Sequence, residues 1–129
     1  MMTFRKGAPM KRNMELIKLL LAAVEKSAAS ACVIPEPSDF PEPIRPTEAD
    51  LGEHCRLLVE RGLVRGEPTF SGWVLTGLTW DGHDFLDNSR ESKVWQAAKK
   101  AAGTLSFGVF TKVLVETATR YAMSKIEGV

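Results

Sequence analysis

Residues 33–46 read VIPEPSDFPEPIRP, and five of these side chains are proline. Proline fixes φ, removes a backbone donor and pushes its predecessor out of the helical region. No helix interior can lie here, so any compact fold must cross the stretch as an extended connection. Val33-Ile34, at its start, has the β-branched character of a short edge strand. The chain is thereby divided into one helical segment before the prolines and a longer region after them.

In the first segment Met14, Ile17, Leu20, Leu21 and Val24 recur at three- and four-residue spacing, which predicts a helix over 11–29. Residues 1–9, MMTFRKGAP, have no periodicity and are expected to form a flexible N-terminal extension, with Met1 and Met10 both available as translation starts. The basic start, apolar stretch and small residues after Met10 superficially resemble a secretion signal. Glu15 and Lys18 interrupt that stretch, however, and the uninterrupted run Leu19–Val24 is only six residues. That is too short for a signal core or a membrane span, so a cytoplasmic protein without membrane association is expected.

After the prolines comes TEADLGEHCRLLVERGLV, residues 47–64. Thr47 is placed to cap a helix whose first turn carries Glu48 and Asp50, both favoured by the positive end of the dipole. Leu51, Cys55, Leu58 and Val59 make its buried stripe. Gly62 stands where a left-handed residue would stop it, with Leu63 folding back as a hydrophobic clasp. Leu63–Arg65 and Trp73–Leu78 then flank the turn-rich GEPTFSG, predicting a hairpin. Thr79 offers a second cap to a helix over 80–91, with Trp80, Phe85 and Leu86 facing inward and Gly82 permitting a close backbone approach. SKVWQAAKKAA continues that helical run to about Ala102. Beyond Gly103 a last amphipathic helix carries Phe110, Val113, Leu114, Thr117, Ala118 and Tyr121 on one stripe.

This order predicts an α+β, mainly helical fold: a winged-helix-like domain over 10–102, built of helices and a small β-hairpin, plus a C-terminal amphipathic helix over 103–129. That helix is expected to pack on the first helix of its own chain or at a homodimer interface. In the dimer case Phe110, Val113, Leu114 and Tyr121 are the dimer surface, because an uncovered row of large apolar side chains is unusual in a soluble monomer.

MKRNMELI at 10–17, HCRLLVERGLV at 54–64, LTWDGHDFLDNSR at 78–90 and the following VW at 94–95 carry a family resemblance. The chain resembles, over residues 10 to 120, an uncharacterised bacterial and prophage family with an M-K-R-x-M-x-L-I start and an L-T-W-x-G-H-x-F-L-D-x-x-R block. The resemblance implies a winged-helix-like fold and a phage, prophage or bacterial setting, and no mechanism.

The block at 78–90 concentrates His83, Asp84 and Asp87, and the His83–Asp87 pair has the i, i+4 spacing of a metal site or an acid–base pair. His54 is the only other histidine, and Cys32 and Cys55 lie 23 apart without CxxC spacing. The expected role of the block is structural, carried by Thr79, Trp80, Gly82, His83, Phe85 and Leu86. His83 and Asp87 would be partly exposed, and the two thiols reduced and partly buried. No metal, no cofactor and no catalytic residue is expected, and the chain has no phosphate loop or nucleophile elbow.

Seventeen basic and sixteen acidic residues leave a net charge of +1, with residues 67–92 at −4 and residues 93–129 at +4. For DNA or a protein partner the contacts would be His54, Arg56, Arg61 and Arg65, yet the helix over 48–61 also carries Glu48, Asp50, Glu53 and Glu60. The hairpin loop has Glu67 and no lysine or arginine between Gly66 and Trp80. A duplex presents about one negative charge per 1.7 Å, so an acidic reading face starts with repulsion. The basic residues Lys99, Lys100, Lys112, Arg120 and Lys125 are spread over two helices, as a solvated face would be. A protein-interaction or adaptor module, with an unknown protein partner or a second copy, is therefore expected ahead of a DNA-binding regulator. An enzyme comes third.

Overall fold

Each α-helix in the structure starts at a polar side chain that accepts from an otherwise unpaired backbone N–H group. The structure, a computed structural model, describes residues 11–27 and 31–127. Helix α1 (Met14–Lys26) is capped by Asn13, whose Oδ1 accepts from the N–H groups of Glu15 and Leu16 at 3.0 and 3.2 Å. Thr47 caps α2 (Glu48–Arg61) through Asp50, and Thr79 caps α3 (Trp80–Ser89) through Gly82. Glu91 caps α4 (Ser92–Ala102) through Lys93, and the hydroxyl of Ser106 accepts from Val109 at the start of α5 (Phe107–Glu127).

The proline segment crosses the molecule as an ordered strap. Val33 and Leu75 exchange two antiparallel backbone hydrogen bonds, both 2.8 Å, so the expected edge strand exists as a single bridge. A one-turn 3-10 helix, Pro37–Asp39, follows, and buried Phe40 pins the strap to the core. Beyond it the Glu42–Pro43 peptide is cis.

The stop signal of α2 is a Schellman motif. Gly62 is left-handed at φ 82°, its N–H donates to the Val59 carbonyl at 3.0 Å, and the N–H of Leu63 reaches back to Leu58 at 2.9 Å. From there strand β1 (Val64–Thr69) pairs antiparallel with β2 (Gly72–Leu78), with a register shift between Arg65 and Gly66. The ladder ends at a junction with the helices. Thr79 N–H donates to the Leu63 carbonyl at 3.0 Å, and the Thr79 hydroxyl donates to the Gly62 carbonyl. Gly82, one turn into α3, lies against that same Leu63 carbonyl: a Cβ on it would sit 1.9 Å from the oxygen.

α1 supplies Leu16, Ile17, Leu20, Leu21 and Val24 to the core against α3, β2 and the buried face of α2. An aromatic cluster joins the later helices. Phe85 stacks on Phe107 at 5.6 Å, and Trp95 meets Phe85 and Phe110 edge-on at 6.1 and 5.5 Å. Glu15 of α1 ties this layer back to the start of the chain, accepting from Trp95 Nε1 at 2.6 Å and from the Lys99 ammonium. Burial works against the charge on Glu15. The hydrogen bonds from Lys99 and Trp95, with the charges of Lys99 and Lys18, outweigh it and hold the carboxyl below its usual range.

The result is the expected α+β, mainly helical fold, in the expected order of helix, paired extended segment, helix, hairpin and helices. Several details differ from the sequence reading. α1 begins at its Asn13 cap and ends at Lys26, shorter than 11–29. The extension expected over 1–9 lies outside the described residues. The hairpin strands reach further than predicted, leaving Phe70 and Ser71 as the turn. The helical run from 80 to 102 is two helices: Glu91 takes an extended conformation (φ −78°, ψ 119°) to cap α4, which turns Trp95 towards Phe85. Trp80 faces solvent at 83% exposure, because the buried stripe of α3 is Gly82, Phe85, Leu86 and Ser89 and Trp80 falls off it. The α5 stripe packs on α3 and α4 of its own chain rather than on α1.

Two outcomes follow from this packing. Gly82→Leu must displace backbone rather than a side-chain tip, so it should lower unfolding free energy by on the order of 3 kcal/mol or more in chemical denaturation. The depressed Glu15 carboxyl stabilises the fold above its ordinary value of 4.5, and that contribution fades as pH falls through the lower folded value. The stability gap between wild type and Glu15→Gln should therefore be largest near neutral pH and close on acidification. A gap that does not change with pH would contradict the assignment.

Candidate interaction surface

Helix α2 is half submerged, and its submerged side includes His54, only 2% exposed. His54 Nε2 accepts the Asn13 N–H at 2.9 Å, and Nδ1 lies 2.8 Å from the Asp50 carbonyl. A backbone N–H can only donate, so Nε2 must be unprotonated and the proton sits on Nδ1, donating to Asp50. The ring therefore anchors the start of α1 to α2. It is not available to DNA or a partner, contrary to the expectation from sequence. Its position in the i, i+3, i+4, i+7 set Leu51, His54, Cys55, Leu58 carried that signal.

The other three cationic candidates are not brought together. Arg56 is held between Glu53 and Glu60, donating from Nε to Glu53 at 2.9 Å and through both terminal nitrogens to the two carboxylates. The hydrogen bonds from Arg56 pull the Glu53 carboxyl below its usual range, and Glu53 in turn raises the guanidinium pKa. Arg61 lies over the Phe107 ring at 5.2 Å, and Arg65 crosses the hairpin to within 2.8 Å of where a Cβ on Gly77 would be. The exposed side of α2 thus presents Glu48, an Arg56 already neutralised by two acids, and at its C-terminal end Arg61 laid over Phe107.

Between the first turns of α2, the hairpin and the proline strap lies a groove of about 480 Å³. Ile34, Pro35, Leu51 and Trp73 form its apolar wall, Glu36 and Glu48 stand on it, and no lysine or arginine lines it. The hairpin tip beside it carries Phe70, fully exposed. Cys55 opens onto the groove floor, and burial pushes its thiol up to about 11, so it is a packed side chain rather than a nucleophile. Cys32 is exposed rather than partly buried, and both thiols are free.

The block that looked like chemistry divides as follows. Thr79, Gly82, Phe85 and Leu86 hold the junction and the core, while His83 and Trp80 are exposed. Asp87 is engaged by Arg90 at 3.1 Å. Among the described residues no three histidine, cysteine, aspartate or glutamate side chains converge as metal ligands would. Phe110 and Leu114, expected on a dimer surface, are fully buried in their own chain. Val113 and Tyr121 pack against the same core, with the Tyr121 hydroxyl donating to Glu91 at 3.1 Å. Among the described residues no helix is long and apolar enough to cross a membrane.

The chain is therefore a mainly helical α+β domain that displays a hairpin and one acidic helix face. Residues 11–108 match the model of a family described as a hypothetical protein, DUF2513, and the chain belongs to that family. Comparison with curated proteins and with solved structures gave no match.

His54→Leu would leave the Asn13 N–H and the Asp50 carbonyl without their partner. It should cost about 1–3 kcal/mol of stability by thermal denaturation. His83→Ala should cost about 1 kcal/mol or less. A His83→Ala protein that gives up a stoichiometric metal ion, read by elemental analysis, would contradict the structural role of the block.

Proposed function

We propose that the protein is a non-enzymatic, winged-helix-like interaction module that takes a basic, partly apolar segment of another protein into the groove between α2, the hairpin and the proline strap. The observation that carries this reading is the composition of the groove: an apolar wall of Ile34, Leu51 and Trp73 rimmed by Glu36 and Glu48, with no lining cation. A lysine- or arginine-bearing segment with an aliphatic anchor matches both features, since burial of the anchor supplies affinity and the acids supply orientation and speed of encounter. Phe70 at the hairpin tip adds an exposed aromatic of the kind that anchors interfaces.

DNA binding is the weaker reading on the same surface. In winged helices that read DNA, the helix before the hairpin enters the major groove with cationic or amide side chains. Here that helix has spent Arg56 on Glu53 and Glu60. The buttressing helix is replaced by the proline strap, so the element that would press α2 into a groove is a single 3-10 turn. A phage, prophage or bacterial setting, implied by the family resemblance, and a cytoplasmic location, inferred from the interrupted apolar stretch at 10–31, complete the proposal.

Calorimetry with a synthetic peptide alternating lysine and leucine tests it. Binding should be saturable and weaken with salt, and either Glu48→Lys or Trp73→Ala should weaken it by about tenfold, close to 1.4 kcal/mol. Random duplex at about 0.15 M salt should bind no tighter than about 10⁻⁴ M. Saturable, salt-sensitive duplex binding below micromolar that Glu48→Lys strengthens would make the regulator reading the better one.

A further inference from the structure

A second cavity, of about 270 Å³, lies where α2 meets the starts of α1 and α5, and it shares no residue with the groove. Its floor is apolar, made by the buried core residues Ile17, Leu58, Leu63 and Phe107. His54 adds no free polar atom, because both ring nitrogens are engaged by Asn13 and Asp50. Two exposed cations, Arg12 and Arg61, complete the lining, and among the described residues neither has a carboxylate within 4.0 Å. Arg12 makes one long hydrogen bond, 3.5 Å to the Leu105 carbonyl, and Arg61 lies over the Phe107 ring at 5.2 Å. Glu60, the acid on the lining, is bound to Arg56. Asp81 and Asp84 border a separate recess with Arg61, beyond ion-pair distance. Residues 1–10, 28–30, 128 and 129 contain no aspartate or glutamate, so every acidic side chain of the chain is accounted for.

We propose that this cavity binds a small hydrophobic carboxylate, with one aromatic or branched aliphatic group on the floor and its carboxylate held by Arg12 and Arg61. The floor alone would accept any small apolar group, and the two guanidiniums choose the sign of the head. A guanidinium is a planar fork of N–H donors that meets a carboxylate in two parallel hydrogen bonds. Beside apolar walls water screens such a pair less than on an open surface, which strengthens the attraction. Size limits the occupant: sites for drug-sized ligands run from about 300 to 1,000 Å³, so 270 Å³ suits a single ring or branched chain rather than a nucleotide. The lining has no lysine, serine or threonine to complete the shell of a phosphate, and Glu60 disfavours a dianion. The same chemistry is carried by a free acid and by the C-terminal residue of a peptide ending in leucine or phenylalanine.

Calorimetry on the full chain with phenylacetate tests the site. Binding should be saturable, with a Kd on the order of 1 mM or below. Phenethyl alcohol, which has the same ring and chain without the charge, should bind about tenfold more weakly or worse. Arg12→Gln and Arg61→Gln should each weaken phenylacetate by a similar factor. Both arginines are exposed, so these variants should keep the circular dichroism of the wild type. In an amide NMR titration the shifts should centre on Leu57, Leu63 and Phe107 and leave Trp73 of the groove unmoved. N-acetyl-leucine separates the two sources: tighter binding than phenylacetate assigns the site to a peptide C-terminus, and weaker binding assigns it to a free acid. No saturable binding of either acid, equal binding of the alcohol, folded arginine variants that bind like the wild type, or shifts centred on the groove would each overturn the proposal.

Discussion

The carbonyl of Leu63 is the point on which the rest of the fold turns. It lies one residue past the left-handed stop of α2, receives the Thr79 N–H, and is approached so closely by Gly82 that no side chain fits between. Three elements are thereby tied at one place: the end of α2, the base of the hairpin and the first turn of α3. Because the hairpin must leave and return at this junction, its strands are matched from Val64–Leu78 onwards. Because α3 begins there at a fixed angle, Phe85 and Leu86 point into the core, and Phe85 in turn organises Trp95, Phe107 and Phe110 from the last two helices. A local backbone contact therefore sets the placement of side chains up to 47 residues away in sequence, from Leu63 to Phe110.

Surface properties follow from what this packing uses up. His54 and Cys55 face inward, so α2 has only one free side, and the acids on that side already hold Arg56. The proline strap, bridged to Leu75 and pinned by Phe40, completes a groove that a buttressing helix in its place would fill. α5 contributes its inner stripe to the core and leaves Val109, Met123 and Ile126 exposed on its outer side. The groove is the surface on which our proposal of an interaction module rests.

Local chemistry was legible in the sequence and tertiary choices were not. Thr47, Gly62, Thr79 and Gly82 act within a few residues of themselves or through a steric requirement peculiar to glycine, so their roles could be read directly. The proline strap could be read for the same reason. Trp80 misled because aromatic character suggests burial, whereas the period of α3 assigns it to the outside. His54 misled in the opposite sense: its polarity suggested contact, but its place in the buried stripe and the unpaired N–H of Asn13 made it structural. The break at Arg90–Glu91 left no glycine or proline in the sequence; in the fold it lets Glu91 cap α4 and brings Trp95 to Phe85. The groove could not be foreseen, since Glu36, Glu48 and Trp73 come from three segments that only the folded chain brings together.

Native-state hydrogen exchange on the junction amides tests its controlling role most directly. The N–H groups of Leu63, Thr79 and Gly82 donate to Leu58, Leu63 and the Thr79 hydroxyl at 2.9, 3.0 and 3.0 Å. If the rest of the core depends on this junction, these amides can open only when the whole domain does. Their exchange free energies should then equal those of core amides such as Leu20 and Leu86, and should fall with them in denaturant. Exchange of Leu63 and Thr79 through a local opening well below the global unfolding free energy, with the core still protected, would show that the helices assemble without it.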